Sequence, residues 1–322
     1  MTRCFAALLL AVAIPAAVGA ETLGSVLQSH HVPAGRFPEP DLAQPITSWA
    51  ASDGWAASDG TPFLLAYYID DGSQSLRPPL RVIRYDPASQ DLRRTDIPET
   101  SALFHGQIPM DCFGSALVIG EDHGLIHVEM HVTPSAVCLL FLSPRLTLRK
   151  ALPGGLLGML GDNLAVVQEG EIHSASVLPM HIVVYDLRRD RLTAVYPPAP
   201  DPYRRQFSRA LQAHMPSDDW CMTQNAECNP DNFDSDLTGN VAVNEAAKVF
   251  AFEARYDAGG FGDEAQKQVQ PLTVAYVYRL RNGRWEHREF LPQRLMSLFG
   301  AETIDELVAR KPQAAFETPA AQ

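Results

Sequence analysis

Between residues 45 and 292 apolar and polar residues alternate over short runs that are separated by turn-forming residues. A period of two puts every second side chain on one face of an extended chain, so these runs predict β-strands. Four stretches share one strand–turn–strand script: 80–97 (LRVIRYDPASQDLRRTDI), 137–152 (VCLLFLSPRLTLRKAL), 181–196 (HIVVYDLRRDRLTAVY) and 274–290 (VAYVYRLRNGRWEHREF). Tyr85, Phe141, Tyr185 and Tyr278 stand at the equivalent place, just before the turn. Asn282-Gly283 suits a type I′ hairpin, because both residues tolerate positive φ. Asp86-Pro87 and Ser143-Pro144 mark the same corner by other turn chemistry. Each stretch is preceded by a second strand, at 61–70, 124–132, 163–172 and 248–257, and that in turn by a first, at 46–52, 113–120, 155–161 and 240–246.

The equivalent aromatics are spaced by 56, 44 and then 93 residues. The last interval is about twice the repeat, which fits either a degenerate fifth unit or an insertion. Residues 197–239 favour the insertion. PPAPDP opens it as a breaker-rich linker, and Tyr203, Phe207, Leu211 and Met215 recur every fourth position, forming one face of a short helix. A cysteine loop and the polar run NPDNFDSDLTGN follow. Residues 21–44 form an extension with a short TLGSVLQ helix, and 293–322 hold the rest of a helix expected over 291–310, then a disordered Ala/Pro tail.

Repeated four-stranded antiparallel units at this spacing are the pattern of β-propeller blades, which bury each other's faces. The chain resembles periplasmic or secreted β-propeller proteins with Tol-type or quinoprotein-like blades, over about residues 45–292. The resemblance implies an all-β propeller of about five blades, four of them visible. The Trp-Asp dipeptide of WD repeats is absent.

The first twenty residues predict export. Arg3 gives a positive start, CFAALLLAVAIPAA is a short apolar stretch, and Val18-Gly19-Ala20 supplies a small-residue cleavage site. The mature chain is expected to begin near Glu21, in the periplasm or outside the cell, without a membrane span. Loss of the signal leaves Cys112, Cys138, Cys221 and Cys228. An even count in an oxidising compartment suggests two disulfides, with Cys221–Cys228 as the local bridge and Cys112–Cys138 as the remaining pair. A formal charge of −12 argues against nucleic acid as a partner.

Chemistry is sparse. His127, Glu129 and His131 share one face of a predicted strand and are legitimate ligands for a divalent metal such as zinc. Successive same-face residues on a strand are about 6.5–7 Å apart, so convergence on one ion needs a bulge. The ends of the second strands and the loops that follow carry Asp70, Asp71, Glu169, Glu171, His173, Asp257 and Asp263, an acidic set for one ligand-binding face. Asn232, Asp234 and Asp236 imitate the start of a calcium loop, but Leu237 and Val243 stand where an EF-hand needs Gly and Glu. There is no G-x-S-x-G elbow, P-loop or dinucleotide fingerprint. The expectation is a non-catalytic binding or scaffolding module for a protein or small-molecule ligand. The alternative is a hydrolase or lyase dependent on zinc or calcium at the channel mouth, and a third reading has the 291–310 helix dock a partner.

Overall fold

The computed structural model describes residues 21–317, apart from 53–54, 57, 59, 71–78, 105–107, 115, 134–135, 170–180, 197–201, 215–233, 258–266 and 268. Helices α1 (Leu23–Ser29) and α2 (Glu39–Leu42) lead into four antiparallel sheets of four strands each. Sheet 1 contains β1 (Ile46–Ala51), β2 (Phe63–Ile69), β3 (Leu80–Asp86) and β4 (Asp91–Ile97). A hairpin of β5 (Ser101–Phe104) and β6 (Ile108–Asp111) precedes sheet 2, which contains β7 (Ala116–Asp122), β8 (Leu125–Thr133), β9 (Ala136–Leu142) and β10 (Leu148–Pro153). Sheet 3 contains β11 (Gly155–Met159), β12 (Leu164–Glu169), β13 (His181–Asp186) and β14 (Arg191–Tyr196). Helix α3 (Pro202–His214) then leads to sheet 4: β15 (Asp234–Asn244), β16 (Val249–Asp257), β17 (Leu272–Arg281) and β18 (Arg284–Phe290). Every four-stranded sheet is a meander, each strand pairing with the next in the chain.

The corners follow the turn chemistry. Asn282 and Gly283 have φ of 51° and 73°, and His123 and Gly124 between β7 and β8 have 50° and 69°. Before β4 and β14 an aspartate closes the turn instead. Asp86 Oδ1 accepts from the N–H groups of Ala88 and Ser89, and Asp186 Oδ1 accepts from those of Arg188 and Arg189. Gln90 and Asp190, four residues on, both take left-handed φ.

Second and third strands are apolar on both faces because each sheet has a neighbour on each side. Leu64, Ala66 and Tyr68 of β2 meet Ile126, Val128 and Met130 of β8 between sheets 1 and 2. Leu139 and Phe141 meet Ala165, Val167 and Val183 between sheets 2 and 3. Val166, Val184 and Tyr196 meet Phe250, Phe252 and Tyr276 between sheets 3 and 4, with Phe207 and Leu211 of α3 alongside. The outer face of sheet 1 is covered by Leu23, Val26 and Leu27 of α1. The outer face of sheet 4 is covered by α4 (Leu295–Phe299), α5 (Ile304–Arg310) and α6 (Ala314–Glu317). First strands meet in two pairs, β1 against β7 and β11 against β15. Their turns converge as well: His123 Nε2 lies 3.0 Å from Glu245 Oε2 and 3.4 Å from Asp122 Oδ1, and its Nδ1 lies 3.5 Å from Asp162 Oδ1.

Several expectations change. The helix expected over 291–310 is broken: Gly300 ends α4 at φ 63°, and Thr303 starts a new helix by accepting from the Glu306 N–H. Residues 311–317 pack against sheet 4 where a disordered tail was expected; Ala315 is buried, and the Phe316 ring lies 4.1 Å from the Arg279 guanidinium carbon. Leu295 and Phe299 of α4 and Ile304, Leu307 and Val308 of α5 are thus spent on sheet 4, while Met296 stays exposed. Sheet 4 starts at Asp234, inside the range assigned to the insertion. The β5–β6 hairpin was not anticipated. Cys112 and Cys138 form a disulfide with Cα atoms 5.3 Å apart, while Cys221, Cys228 and the export signal lie outside the described residues. Among the described residues no helix is long and apolar enough to cross a membrane.

Candidate functional site

The face that carries His127, Glu129 and His131 is the face of β8 turned toward sheet 3, since Ile126, Val128 and Met130 are committed to sheet 1. His127 lies across Gly120, its partner in the β7 register; a Cβ on Gly120 would sit 2.6 Å from the imidazole Nε2. Burial holds the His127 pKa below its ordinary value, and its buried Nδ1 has no hydrogen-bond partner. Glu129 Oε1 accepts the backbone N–H of Leu156 in β11 at 2.9 Å, and Oε2 lies against Gly155. Burial raises the Glu129 pKa, partly offset by that hydrogen bond and by His131. These residues tie sheet 2 to sheet 3. Among the described residues no group of three His, Cys, Asp or Glu side chains is placed to hold a metal ion, so the three share a face without forming a ligand set.

Of the acidic set, Asp70, Glu169 and Asp257 occupy the same end of β2, β12 and β16, as the repeat requires. Asp71, Glu171, His173 and Asp263 lie outside the described residues, as does Asn232, and the side chains of Asp234 and Asp236 are not described. Asp70 is exposed and Asp257 is half-buried, 3.5 Å from Arg255 Nε. Glu169 differs: it is only 4% exposed. Its place is set by Gly154, the single residue between β10 and β11. A Cβ there would lie 2.0 Å from the Gln168 carbonyl oxygen and 2.8 Å from the Glu169 Cα, and φ is 109°, so glycine alone fits.

Glu169 lines a cleft of about 560 Å³ between the edge strand β10 of sheet 2 and strands β13 and β14 of sheet 3. Leu148, Leu152, Val183 and Leu192 give it apolar walls. Removal from water pushes the Glu169 pKa up to about 7, so near neutral pH it can donate a hydrogen bond as the acid or accept one as the anion. At the rim Lys150 Nζ donates to Asp190 Oδ1 at 2.6 Å, the Tyr185 hydroxyl donates to the same oxygen, and the ammonium lies 5.1 Å from the Tyr185 ring centroid. Burial works against the Lys150 charge, but the hydrogen bonds to Asp190 and Tyr185 outweigh it and hold its pKa above the ordinary lysine value. Those bonds, Lys150 first, hold the Asp190 carboxyl below the ordinary range. The site therefore has a fixed cation at its mouth and one titrating acid in its wall. Lys150, Tyr185 and Asp190 were not singled out as site residues from sequence; they come from two sheets, and no spacing links them.

A second groove, of about 830 Å³, runs between sheets 3 and 4 along Arg188, Arg189, Arg191, Leu192, Arg284 and Trp285. No protein-family model matches the chain, and no curated protein sequence is significantly similar to it.

Proposed function

We propose that this is an exported, propeller-like binding module in which sheets 1–4 act as blades and the cleft between sheets 2 and 3 receives a small amphipathic ligand. The blade reading is supported by four successive meanders, by first strands that meet in two pairs, and by the meeting of three inner turns at His123. Among the described residues, helices cover the two outer faces. Export is supported by the signal-like residues 1–20 and by the Cys112–Cys138 disulfide, which persists in oxidising compartments.

The observation that carries the binding reading is Glu169. A carboxyl kept 4% exposed in a cleft wall that also carries Leu148, Leu152, Val183 and Leu192, with Lys150, Tyr185 and Asp190 lining the same cleft, offers a buried polar contact to orient a ligand between apolar and polar walls. Such a site suits a ligand with an apolar body and one polar head.

The test is a thermal-shift screen of amphipathic small molecules against the wild-type protein and two variants, Leu152→Trp, which fills the cleft, and Glu169→Gln, which keeps its shape. Compounds that raise Tm in the wild type and lose that effect with Leu152→Trp support the site. Compounds that stabilise all three proteins equally, or a screen without hits, count against it.

A further inference from the structure

We infer that the groove between sheets 3 and 4 is a docking site for an acidic, extended peptide segment of another protein. The groove adjoins the proposed ligand cleft and shares Arg191 and Leu192 with it, but the inference rests on the groove's own arginines and edge strands and stands without that reading.

The groove is flanked by two edge strands, β14 of sheet 3 and β18 of sheet 4, which among the described residues each have a neighbour on one side only. An edge strand leaves backbone N–H and C=O groups free to pair with an added chain. Its charge is opposite to that of the molecule. The whole chain carries −12, yet the groove is lined by Arg188, Arg189, Arg191 and Arg284 against a single carboxylate, Asp186. That carboxylate is 6% exposed and turned into its own turn, where it accepts two backbone N–H groups and lies 3.5 Å from Arg189. The other acid of the turn, Asp190, is engaged by Lys150 and Tyr185 on the far side. Among the described residues Arg188, Arg191 and Arg284 have no carboxylate partner, and all three are exposed. Guanidinium forks pair bidentately with carboxylates, and carboxylates spaced along an extended chain can meet guanidinium groups set along such a groove. Leu192, 45% exposed on β14, adds an apolar contact.

A peptide fits better than an anionic sugar. Trp285, the one aromatic ring of the groove, is not presented as a stacking platform. Its indole N–H donates to Thr193 Oγ1 at 3.2 Å, and its ring packs edge-on against Phe250 at 5.6 Å.

The test uses the full chain and fluorescence anisotropy with a labelled oligo-glutamate, against oligo-glutamine and a sulfated oligosaccharide. Oligo-glutamate should bind, oligo-glutamine should not, and affinity should fall as salt rises. The combined variant R188E, R191E and R284E, all at exposed positions, should keep the wild-type Tm and bind oligo-glutamate at least about tenfold more weakly. N-methylation of alternate peptide bonds should weaken binding as well, because strand pairing needs those N–H groups. Equal binding of the two peptides, unchanged affinity in the variant, or indifference to N-methylation would overturn the inference. So would tighter binding of the sulfated sugar at the same arginines, or salt-sensitive self-association through them, which would make a second copy the occupant.

Discussion

Replacing Glu169 by glutamine should stabilise the folded protein at neutral and alkaline pH and leave it nearly unchanged in mild acid. Glu169 is 4% exposed, and burial raises its pKa from the ordinary 4.5 to about 7 in the folded state. Between those two values the folded protein holds a proton that the unfolded chain releases. Stability contributed by this group is therefore greatest below about pH 4.5, falls through the interval, and is lost above about pH 7. The difference between the two pKa values corresponds to roughly 3 kcal/mol, the penalty for ionising the carboxyl in place. Glutamine keeps the shape and cannot ionise, so the wild-type minus variant difference in unfolding free energy isolates the effect, and other titrating groups cancel. Urea unfolding of both proteins at pH 4, 6 and 8, with the disulfide intact, measures it. The wild type should equal E169Q at pH 4 and fall behind by roughly 3 kcal/mol at pH 8. A difference that stays flat with pH, or a wild type that gains on the variant as pH rises, would refute the reasoning. It would mean that Glu169 is ionised and compensated in the fold.

Reduction of Cys112–Cys138, or Cys138→Ser, should lower unfolding free energy by about 3 kcal/mol, since the bond closes a loop spanning 26 positions; urea titration with and without reductant reads it. Gly154→Ala should cost about 2–4 kcal/mol and shift the Glu169 titration, because a Cβ there meets the Gln168 carbonyl oxygen at 2.0 Å; circular dichroism melts and a carboxyl NMR titration check the two effects. Leu307→Ala, at a fully buried position of α5 against sheet 4, should destabilise by about 2–5 kcal/mol and increase binding of a hydrophobic dye before the main transition. Burial holds the His127 pKa low, so the stability this residue contributes should be present above its unfolded value near 6.5 and fade as pH drops through the folded value; His127→Leu should abolish that acid-side loss in urea unfolding at pH 5 against pH 7.

The hairpins were legible because their signals are local. Asn282-Gly283 and the alternating apolar runs on either side specify register within a few residues, and β3–β4, β9–β10, β13–β14 and β17–β18 follow them. The β5–β6 hairpin was not legible: Pro98 and Pro109 break its pattern, and it is fastened by a disulfide to a strand 26 residues on. Gly300 followed by Thr303 and Glu306 is a stop-and-start signal that the apolar periodicity of 291–310 outweighed when read alone. The alternation in His127-Val128-Glu129-Met130-His131 correctly put three side chains on one face. It carried no information that this face lies between two sheets, where Glu129 meets the Leu156 N–H. Glu169 was legible as one acid in a repeated position; its burial depends on Gly154 and on strands from the neighbouring sheet, which no local pattern encodes.

The helices over the outer faces of sheets 1 and 4 make the series finite. Without α4–α6, Val249, Ala251, Ala275 and Val277 would form a bare apolar plane of the kind that every inner sheet offers its neighbour. Two molecules that had each shed this segment would present matching planes and could stack face to face. The short C-terminal helices are therefore terminators: they keep that plane covered, and losing them would let two molecules pair through sheet 4, a contact that closes at two because α1 still covers the outer face of sheet 1.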